Sequence, residues 1–142
     1  MRIEHSIEIE APAEIVWDVT EDVERWPEWS PAMKSVRRLD QGPFDVGSRA
    51  LIRQQAMSEA EWDVTAMTRG ERFEWETRKP GMRMVGVHEV RPSPAGTRSL
   101  LAIEVYGLLG RVLWPLLILP MRWALRMENQ GLKRHCEARA SR

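Results

Sequence analysis

Few side chains in this sequence could take part in chemistry. His5 and His88 share strand parity with apolar residues and are predicted to point inward. An inward imidazole could act as a general acid or base, although it serves more often as a hydrogen-bonded core group. Tyr106 is the one tyrosine and ends the last predicted strand, so its hydroxyl could act as an acid or base or simply reach solvent. His88 and Tyr106 are therefore the candidate catalytic residues.

Two further polar residues fall on inward positions. Gln54 shares parity with Ile52, and a pocket typically pairs apolar walls with a few such polar groups, so Gln54 could orient a ligand. Glu128 lies three residues after Leu125, on or beside an apolar helical stripe. Its carboxylate could reach the cavity. Because an unpaired buried charge is strongly disfavoured, we expect Glu128 instead to be a helix-flank acid paired with an arginine.

The remaining reactive residue types predict no metal site and no cofactor. Cys136 is the one cysteine and lies among apolar helical neighbours, which is typical of inert packing. The three histidines are scattered without a second ligand at metal-binding spacing, and His135 is expected at the surface. No nucleophile–base spacing or nucleotide-binding loop is visible in the sequence.

Tryptophan dominates the aromatic residues, since the chain has seven Trp, one Tyr and two Phe. Such side chains fill large apolar volumes and can line ligand sites. Trp26 and Trp29 flank Pro27 in a short segment after the first helix. Trp26 is expected to pack in the core, whereas Trp29 lies beyond the predicted helix and could gate a cavity mouth.

The elements that must position these side chains follow from the period of the apolar residues. Two-residue alternation predicts seven strands joined by short turns, hence an antiparallel meander. After the first strand, Pro12 favours a helix start, and Pro27 should end a second short helix. The predicted strands are residues 2–10, 36–39, 48–55, 59–68, 71–78, 82–91 and 97–106, with short helices at 14–19 and 22–26.

An amphipathic stripe predicts a long C-terminal helix over residues 112–138. Pro115 would lie in its first turn, and Pro120 should kink the helix or split off its first segment. This α+β order predicts a curved seven-stranded antiparallel sheet that wraps the helix around an apolar cavity. The predicted wall, with Trp29 near the mouth, is Ile52, Gln54, Trp62, Phe73, Trp75, Met84, His88, Ile103, Leu117, Met121 and Leu125.

Size and charge limit the function classes. The 142 residues suit a single domain, residues 1–142. Lys plus Arg equals Asp plus Glu at 21 each, a balance that argues against nucleic-acid binding. The strongest apolar run, residues 113–119, is shorter than the roughly 20 residues that span a bilayer, so no transmembrane segment is predicted. A cytoplasmic location is expected by default.

Several segments resemble the polyketide cyclase/dehydrase group of the START-like superfamily, also called SRPBCC or pollen-allergen-like. The resemblance covers essentially the whole chain and implies a helix-grip fold with a hydrophobic cavity. Members include lipid carriers, cyclases and co-chaperone-like proteins. The similar segments are residues 9–19, residues 22–31, Gly47-Ser48, the strand around His88 that ends in Pro92, and the closing Gly131-Leu132-Lys133.

Three functions remain open. The first is binding or transport of a lipid, polyketide or aromatic metabolite, which the mostly apolar inward residues favour over bond breaking. The alternative is an aromatase/cyclase-type enzyme that uses His88, Tyr106 and Gln54. The second alternative is a module that docks on a protein or an anionic membrane through basic residues of the last helix, namely Arg122, Arg126, Lys133, Arg134 and Arg139.

Overall fold

The computed structural model describes residues 1–55 and 57–142. It confirms the predicted order of one strand, two short helices, six strands and a long helix. The second short helix is a 3₁₀ helix. In chain order the elements are β1 (Arg2–Ile9), α1 (Ala13–Glu21), the 3₁₀ helix (Val23–Glu28), β2 (Met33–Arg38), β3 (Arg49–Gln54), β4 (Ala60–Thr68), β5 (Arg72–Lys79), β6 (Met82–Ser93), β7 (Gly96–Tyr106) and α2 (Leu108–Ala140).

The seven strands form one antiparallel sheet in the order β1-β7-β6-β5-β4-β3-β2. The first strand returns beside the last, so that Ile3 pairs with Ile103. The register of β4 shifts between Val64 and Ala66, and such an irregularity bends a strand and increases its twist. The sheet curves around α2, which confirms the predicted α+β helix-grip fold.

Side chains alternate across the sheet as their sequence parity requires. In β5, Phe73 and Trp75 are buried on the inner face, whereas Glu76 on the outer face pairs with Arg78 at 3.1 Å and with Arg83 at 3.0 Å. Exposed ion pairs of this kind contribute at most about 1 kcal/mol each. The inner face, where the aromatic side chains are buried against one another, therefore supplies most of the stabilisation.

The second half of α2 fills the concave side of the sheet. It packs mainly against β1, with further contacts to β7 and β6. Leu125, Leu132 and Cys136 are buried at helical spacing, so their side chains share the face that meets the sheet. Since α2 lies towards the β1 side, a gap remains between the helix and strands β2 to β4.

A glycine lets the segment after the 3₁₀ helix lie directly on α2. A Cβ atom built on Gly131 would lie 1.9 Å from the carbonyl oxygen of Trp29, which is far inside van der Waals contact. Trp29 itself is buried and its ring lies 6.1 Å from that of Trp26. The close approach therefore fixes the corner between the 3₁₀ helix and α2.

Two predicted boundaries are wrong, the end of the second short helix and the start of the long helix. The 3₁₀ helix continues through Pro27 to Glu28. α2 begins at Leu108 and runs through Pro115 and Pro120 as one helix, so Pro120 does not split off a segment. A proline removes only one backbone donor, and both prolines lie at exposed positions of the helix.

The predicted loop after β6 is also shorter than expected. β6 continues to Ser93, and Pro92 pairs with Thr97. β5 accompanies β6 only as far as Glu89, so this end of β6 is an edge, where a proline is tolerated.

Among the described residues, α2 is the one helix whose length and apolar composition would suffice to cross a membrane. Of its most apolar 18-residue window, 17% is buried within the protein. The apolar stretch is thus longer than the run at residues 113–119 indicated, and most of it lies at the surface.

Candidate ligand-binding site

The gap between α2 and strands β2 to β4 contains a cavity of about 80 Å³. Its wall is mostly apolar, and its polar side chains are two glutamines and one carboxylate. It is lined by Ala32, Met33, Gln54, Gln55, Met57, Trp62, Met84, Ile103, Pro120, Met121, Trp123, Ala124, Leu125 and Glu128.

A smaller space of about 30 Å³ lies deeper against the sheet. The two spaces share a common wall, formed by Met33, Gln54, Trp62, Ile103, Leu125 and Glu128. Beyond that wall the deeper space reaches His88 and the rings of Trp26 and Trp75. A shift of the shared side chains would join the two spaces into one.

Most of the predicted wall residues come together here. Gln54, Trp62, Met84, Ile103, Met121 and Leu125 line the larger cavity. Ile52, Trp75 and His88 line the deeper space. Their role in holding a ligand stays a prediction.

Three predicted wall residues lie outside both spaces. Trp29 packs at the corner beside Gly131 and not at the cavity mouth, because the glycine lets its backbone dock on α2. Phe73 is fully buried behind His88, with the two rings stacked 4.6 Å apart. Leu117 is half-buried one turn before the cavity-lining part of α2.

Tyr106 does not reach the cavity. Its side chain is exposed, its hydroxyl donates a hydrogen bond to Glu104 at 2.9 Å, and the Arg83 guanidinium lies 4.4 Å from its ring centre. The hydrogen bond to Glu104 raises the pKa of the Tyr106 hydroxyl. Tyr106 therefore lies outside the cavity in which it was a candidate acid or base.

Glu128 is buried and pairs with a histidine instead of an arginine. Its Oε1 lies 3.2 Å from Nε2 of His88, and the side chains are 8% and 9% exposed, respectively. In this pair the Nε2–H donates and the carboxylate accepts. The expected arginine partner is wrong, because α2 turns this position towards the cavity, where His88 on β6 is the available partner.

The imidazole of His88 is held between aromatic rings. It stacks on Phe73 with an interplanar angle of 6°, and the ring of Trp26 lies 4.9 Å away on a tilt. Nδ1 of His88 is buried and has no hydrogen-bond partner among the described residues. The ring thus keeps one unmatched polar atom beside the deeper space.

His5 belongs to a separate polar cluster around Asn129, the residue that follows Glu128 on α2. Asn129 donates from Nδ2 to Nδ1 of His5 at 2.9 Å and accepts from the hydroxyl of Ser99 at 2.8 Å. Burial, and then the charge of Arg126, lower the pKa of His5. The cluster ties β1 and β7 to α2, and Asn129 gave no signal in the sequence that singled it out.

The other reactive groups offer no catalytic chemistry at the cavity. Cys136 is fully buried, and burial raises the pKa of its thiol to about 12, so a thiolate nucleophile is disfavoured. Within residues 1–55 and 57–142, no three His, Cys, Asp or Glu side chains cluster as metal ligands would.

Sequence reasoning missed the part of the wall that comes from loops and from the far side of α2. Met33 and Ala32 precede the predicted start of the second strand, and Met57 lies in the segment after β3. Trp123 is largely exposed and still borders the cavity, so it marks the cavity's outer edge. Strand parity gives no information on residues of this kind.

Comparison with known proteins gives one family and many similar structures. A model of the family described as "Polyketide cyclase / dehydrase and lipid transport" matches residues 1–137. A search of curated protein sequences found no match.

Among solved structures, the protein TTHA0849 from Thermus thermophilus is 18% identical with a TM-score of 0.79, and the alignment covers 99% of each chain. The di-domain ARO/CYC StfQ from the steffimycin biosynthetic pathway is 10% identical with a TM-score of 0.81, over 99% of this chain and 52% of that one. Major latex-like protein 151 from Panax ginseng is 12% identical with a TM-score of 0.77, over 96% and 97%. At these identities the similarity establishes the shared fold.

Proposed function

Because this chain belongs to the polyketide cyclase/dehydrase and lipid transport family, we propose that it binds a hydrophobic small molecule between the sheet and α2. The observation that carries the proposal is the composition of the cavity wall, which is apolar except for Gln54, Gln55 and Glu128. Ligand pockets typically combine such a wall with a few polar groups that fix orientation. The ligand class is a lipid, a polyketide or an aromatic metabolite.

The cavity must enlarge to accept such a ligand. Pockets for molecules of this size measure about 300–1,000 Å³, against about 80 Å³ in the cavity and about 30 Å³ in the deeper space. Four methionines line the larger cavity, Met33, Met57, Met84 and Met121. Because methionine is unbranched and flexible, these side chains can rearrange around a ligand with little backbone movement.

The polar groups of the wall would orient the ligand. Gln54 and Glu128 border both spaces, so a ligand that joins the two spaces passes between their side chains. A hydroxyl or keto group on the ligand could hydrogen-bond to Gln54 or reach His88. Glu128 keeps its second carboxylate oxygen available while Oε1 contacts His88.

A cyclase-type reaction is the second candidate, and the unmatched Nδ1 of His88 favours it. A general base must come within hydrogen-bond reach of the proton that it removes, and His88 lines the deeper space. If the protein cyclises a poly-β-ketone chain, His88→Phe that circular dichroism shows to be folded should abolish turnover. Unchanged turnover in that variant would exclude His88 as the acid or base.

Narrowing the cavity tests the binding proposal. Met121→Trp places a large rigid ring in the cavity, whereas Met127→Trp makes the same change on α2 at a position that borders neither space. We expect Met121→Trp to weaken binding of a fatty acid or a polycyclic aromatic at least about tenfold, or 1.4 kcal/mol, and Met127→Trp less than about twofold. Isothermal titration calorimetry measures both.

Native mass spectrometry of the protein purified from its own host gives the independent check. A bound mass that Met121→Trp removes and Met127→Trp retains would support the proposal. A ligand-free spectrum together with no binding across the fatty-acid and aromatic panel, or equal losses in both variants, would contradict it.

Two broader expectations still rest on the sequence. We propose that residues 1–142 form a single domain, since one sheet and one helix share one main core cluster. The cytoplasmic location also stays a prediction.

A further inference from the structure

The first half of α2 exposes a stripe of large apolar side chains on the side away from the sheet. At 3.6 residues per turn, the stripe's members fall within an arc of about 80°. Their side chains are between 46% and 75% exposed. The apolar stripe consists of Leu108, Val112, Leu116, Leu119 and Trp123.

Exposed apolar surface of this extent and continuity marks an interaction site on a protein. The core does not account for the stripe, because the opposite side of the same turns faces the sheet. Met121 and Leu125 are buried there, while Leu116 and Leu119 point to solvent. The first half of α2 is therefore apolar on both sides, which the packing of the fold does not require.

Positive charge accompanies the stripe. Between Gly107 and Met127 the sequence contains Arg111, Arg122 and Arg126 and no acidic residue. All three arginines are exposed. Within the described part of the chain, the ion pairs involve other side chains.

We infer that the first half of α2 docks on an anionic lipid bilayer, with the apolar stripe in the interface and the arginines on the phosphates. A helix that carries leucine and tryptophan on one side and arginine beside them lies in the plane of a membrane surface. Trp123 suits this boundary because its ring is apolar and its N–H can remain hydrated. Charge complementarity identifies the membrane as the partner. The apolar stripe matches the acyl chains, and the flanking arginines match the anionic headgroups above them.

A second copy of the chain fits the stripe less well. In a two-fold symmetric contact each patch meets itself. Such a contact would bring Arg111, Arg122 and Arg126 of both copies to one interface, in a segment that has no acidic residue between Gly107 and Met127. Like charges placed together oppose the association, whereas an anionic surface attracts all of them.

A transmembrane orientation of α2 also fits the structure less well than docking on the membrane surface. The second half of α2 carries the buried Glu128 and Asn129, whose hydrogen bonds connect the helix to β6, β1 and β7. Insertion across the membrane would remove these contacts and bury arginines at about 2.5–3.5 kcal/mol each. The helix can lie on a membrane without leaving the sheet.

Vesicle co-sedimentation with matched variants tests the inference. Val112→Ser changes a side chain on α2 that is 66% exposed. Its control, Val46→Ser, makes the same change in the loop before β3, at a side chain that is 59% exposed. Arg122→Gln and Arg37→Gln each remove one charge from an exposed arginine. The vesicles contain phosphatidylcholine alone or equal parts of phosphatidylcholine and phosphatidylglycerol.

The unsubstituted protein should bind the phosphatidylglycerol vesicles, and binding should fall as salt is added. Near an anionic surface each arginine contributes about 1 kcal/mol, so Arg122→Gln should weaken binding about fivefold. Val112→Ser should weaken it at least about threefold, because less apolar surface enters the interface. Val46→Ser and Arg37→Gln should each change it less than about twofold.

Two results would overturn the inference. One is equal binding by each variant and its matched control, or no binding to either vesicle type. The other is a protein that does not bind vesicles but self-associates in sedimentation velocity, with Val112→Ser abolishing the self-association. That result would assign the stripe to a contact with a second copy. All four substituted side chains are exposed, and circular dichroism establishes that each variant is folded.

Discussion

Replacing the buried Glu128 with methionine should lower the free energy of unfolding by about 1–3 kcal/mol. The carboxylate oxygen lies 3.2 Å from Nε2 of His88, and Nδ1 of His88 already lacks a partner. Without Glu128 neither ring nitrogen is hydrogen-bonded in the core, and a buried donor left unsatisfied costs about that amount. Methionine fills a similar volume, so a cavity contributes little to the loss.

His88→Phe should cost more, about 3–5 kcal/mol, because it leaves a carboxylate buried without its partner. The phenyl ring preserves the stacking on Phe73, so lost packing does not obscure the electrostatic effect. The double variant removes both polar groups. Since apolar groups of similar shape can replace both partners of a buried hydrogen bond at little cost, we expect the double variant to be more stable than His88→Phe alone.

Urea unfolding followed by circular dichroism gives the coupling free energy of the pair, which should be at least about 2 kcal/mol. The exposed pair Arg49–Glu61, with its atoms 3.1 Å apart, supplies a control cycle that should give less than about 1 kcal/mol. If the two single costs simply add in the Glu128–His88 double variant, the reasoning from burial is refuted. A coupling equal to that of the surface pair would refute it as well.

Two further predictions concern the frame around the site. Gly131→Ala should destabilise the protein by about 3 kcal/mol in thermal or urea unfolding, because its Cβ would lie 1.9 Å from the Trp29 carbonyl oxygen. Helix propensity alone favours alanine by about 1 kcal/mol, so a stabilised variant would contradict the close approach. Burial and Arg126 lower the pKa of His5 in the folded state, so the folded protein binds fewer protons and stability falls as pH drops below about 6.5. His5→Gln should lose that part of the pH dependence, and identical slopes of unfolding free energy against pH in both proteins would exclude His5 as its source.

The fold could be predicted because each strand of the sheet obeys a local rule. Phe73 and Trp75 are two residues apart, and two-residue spacing alone places them on one face, whichever strands lie beside them. The long helix was visible for the same reason. Its start was placed four residues late because Pro115 suggested a first turn, whereas the structure begins the helix after Gly107, whose φ is 100°.

The site was less predictable because its contacts join residues far apart in sequence. Helical spacing placed Glu128 near the inward stripe. Its partner His88 is 40 residues away in the sequence, and no local rule predicts that histidine instead of an arginine. Trp29 was misplaced because the close approach at Gly131 depends on how two elements pack. Met57 lies between β3 and β4, and Met33 precedes a register shift before Ser35 in β2, so alternation could assign neither to the wall.

The two faces of α2 separate the two proposals. Met121 points into the cavity and Val112 points away from the sheet, so one substitution can alter each activity alone. Met121→Trp should weaken ligand binding in solution and leave vesicle binding intact, whereas Val112→Ser should do the reverse. Trp123 lies on both surfaces, because it belongs to the exposed stripe and borders the cavity. Docking through the stripe would therefore place the outer edge of the cavity against the acyl chains, and a hydrophobic ligand could then enter without crossing bulk water.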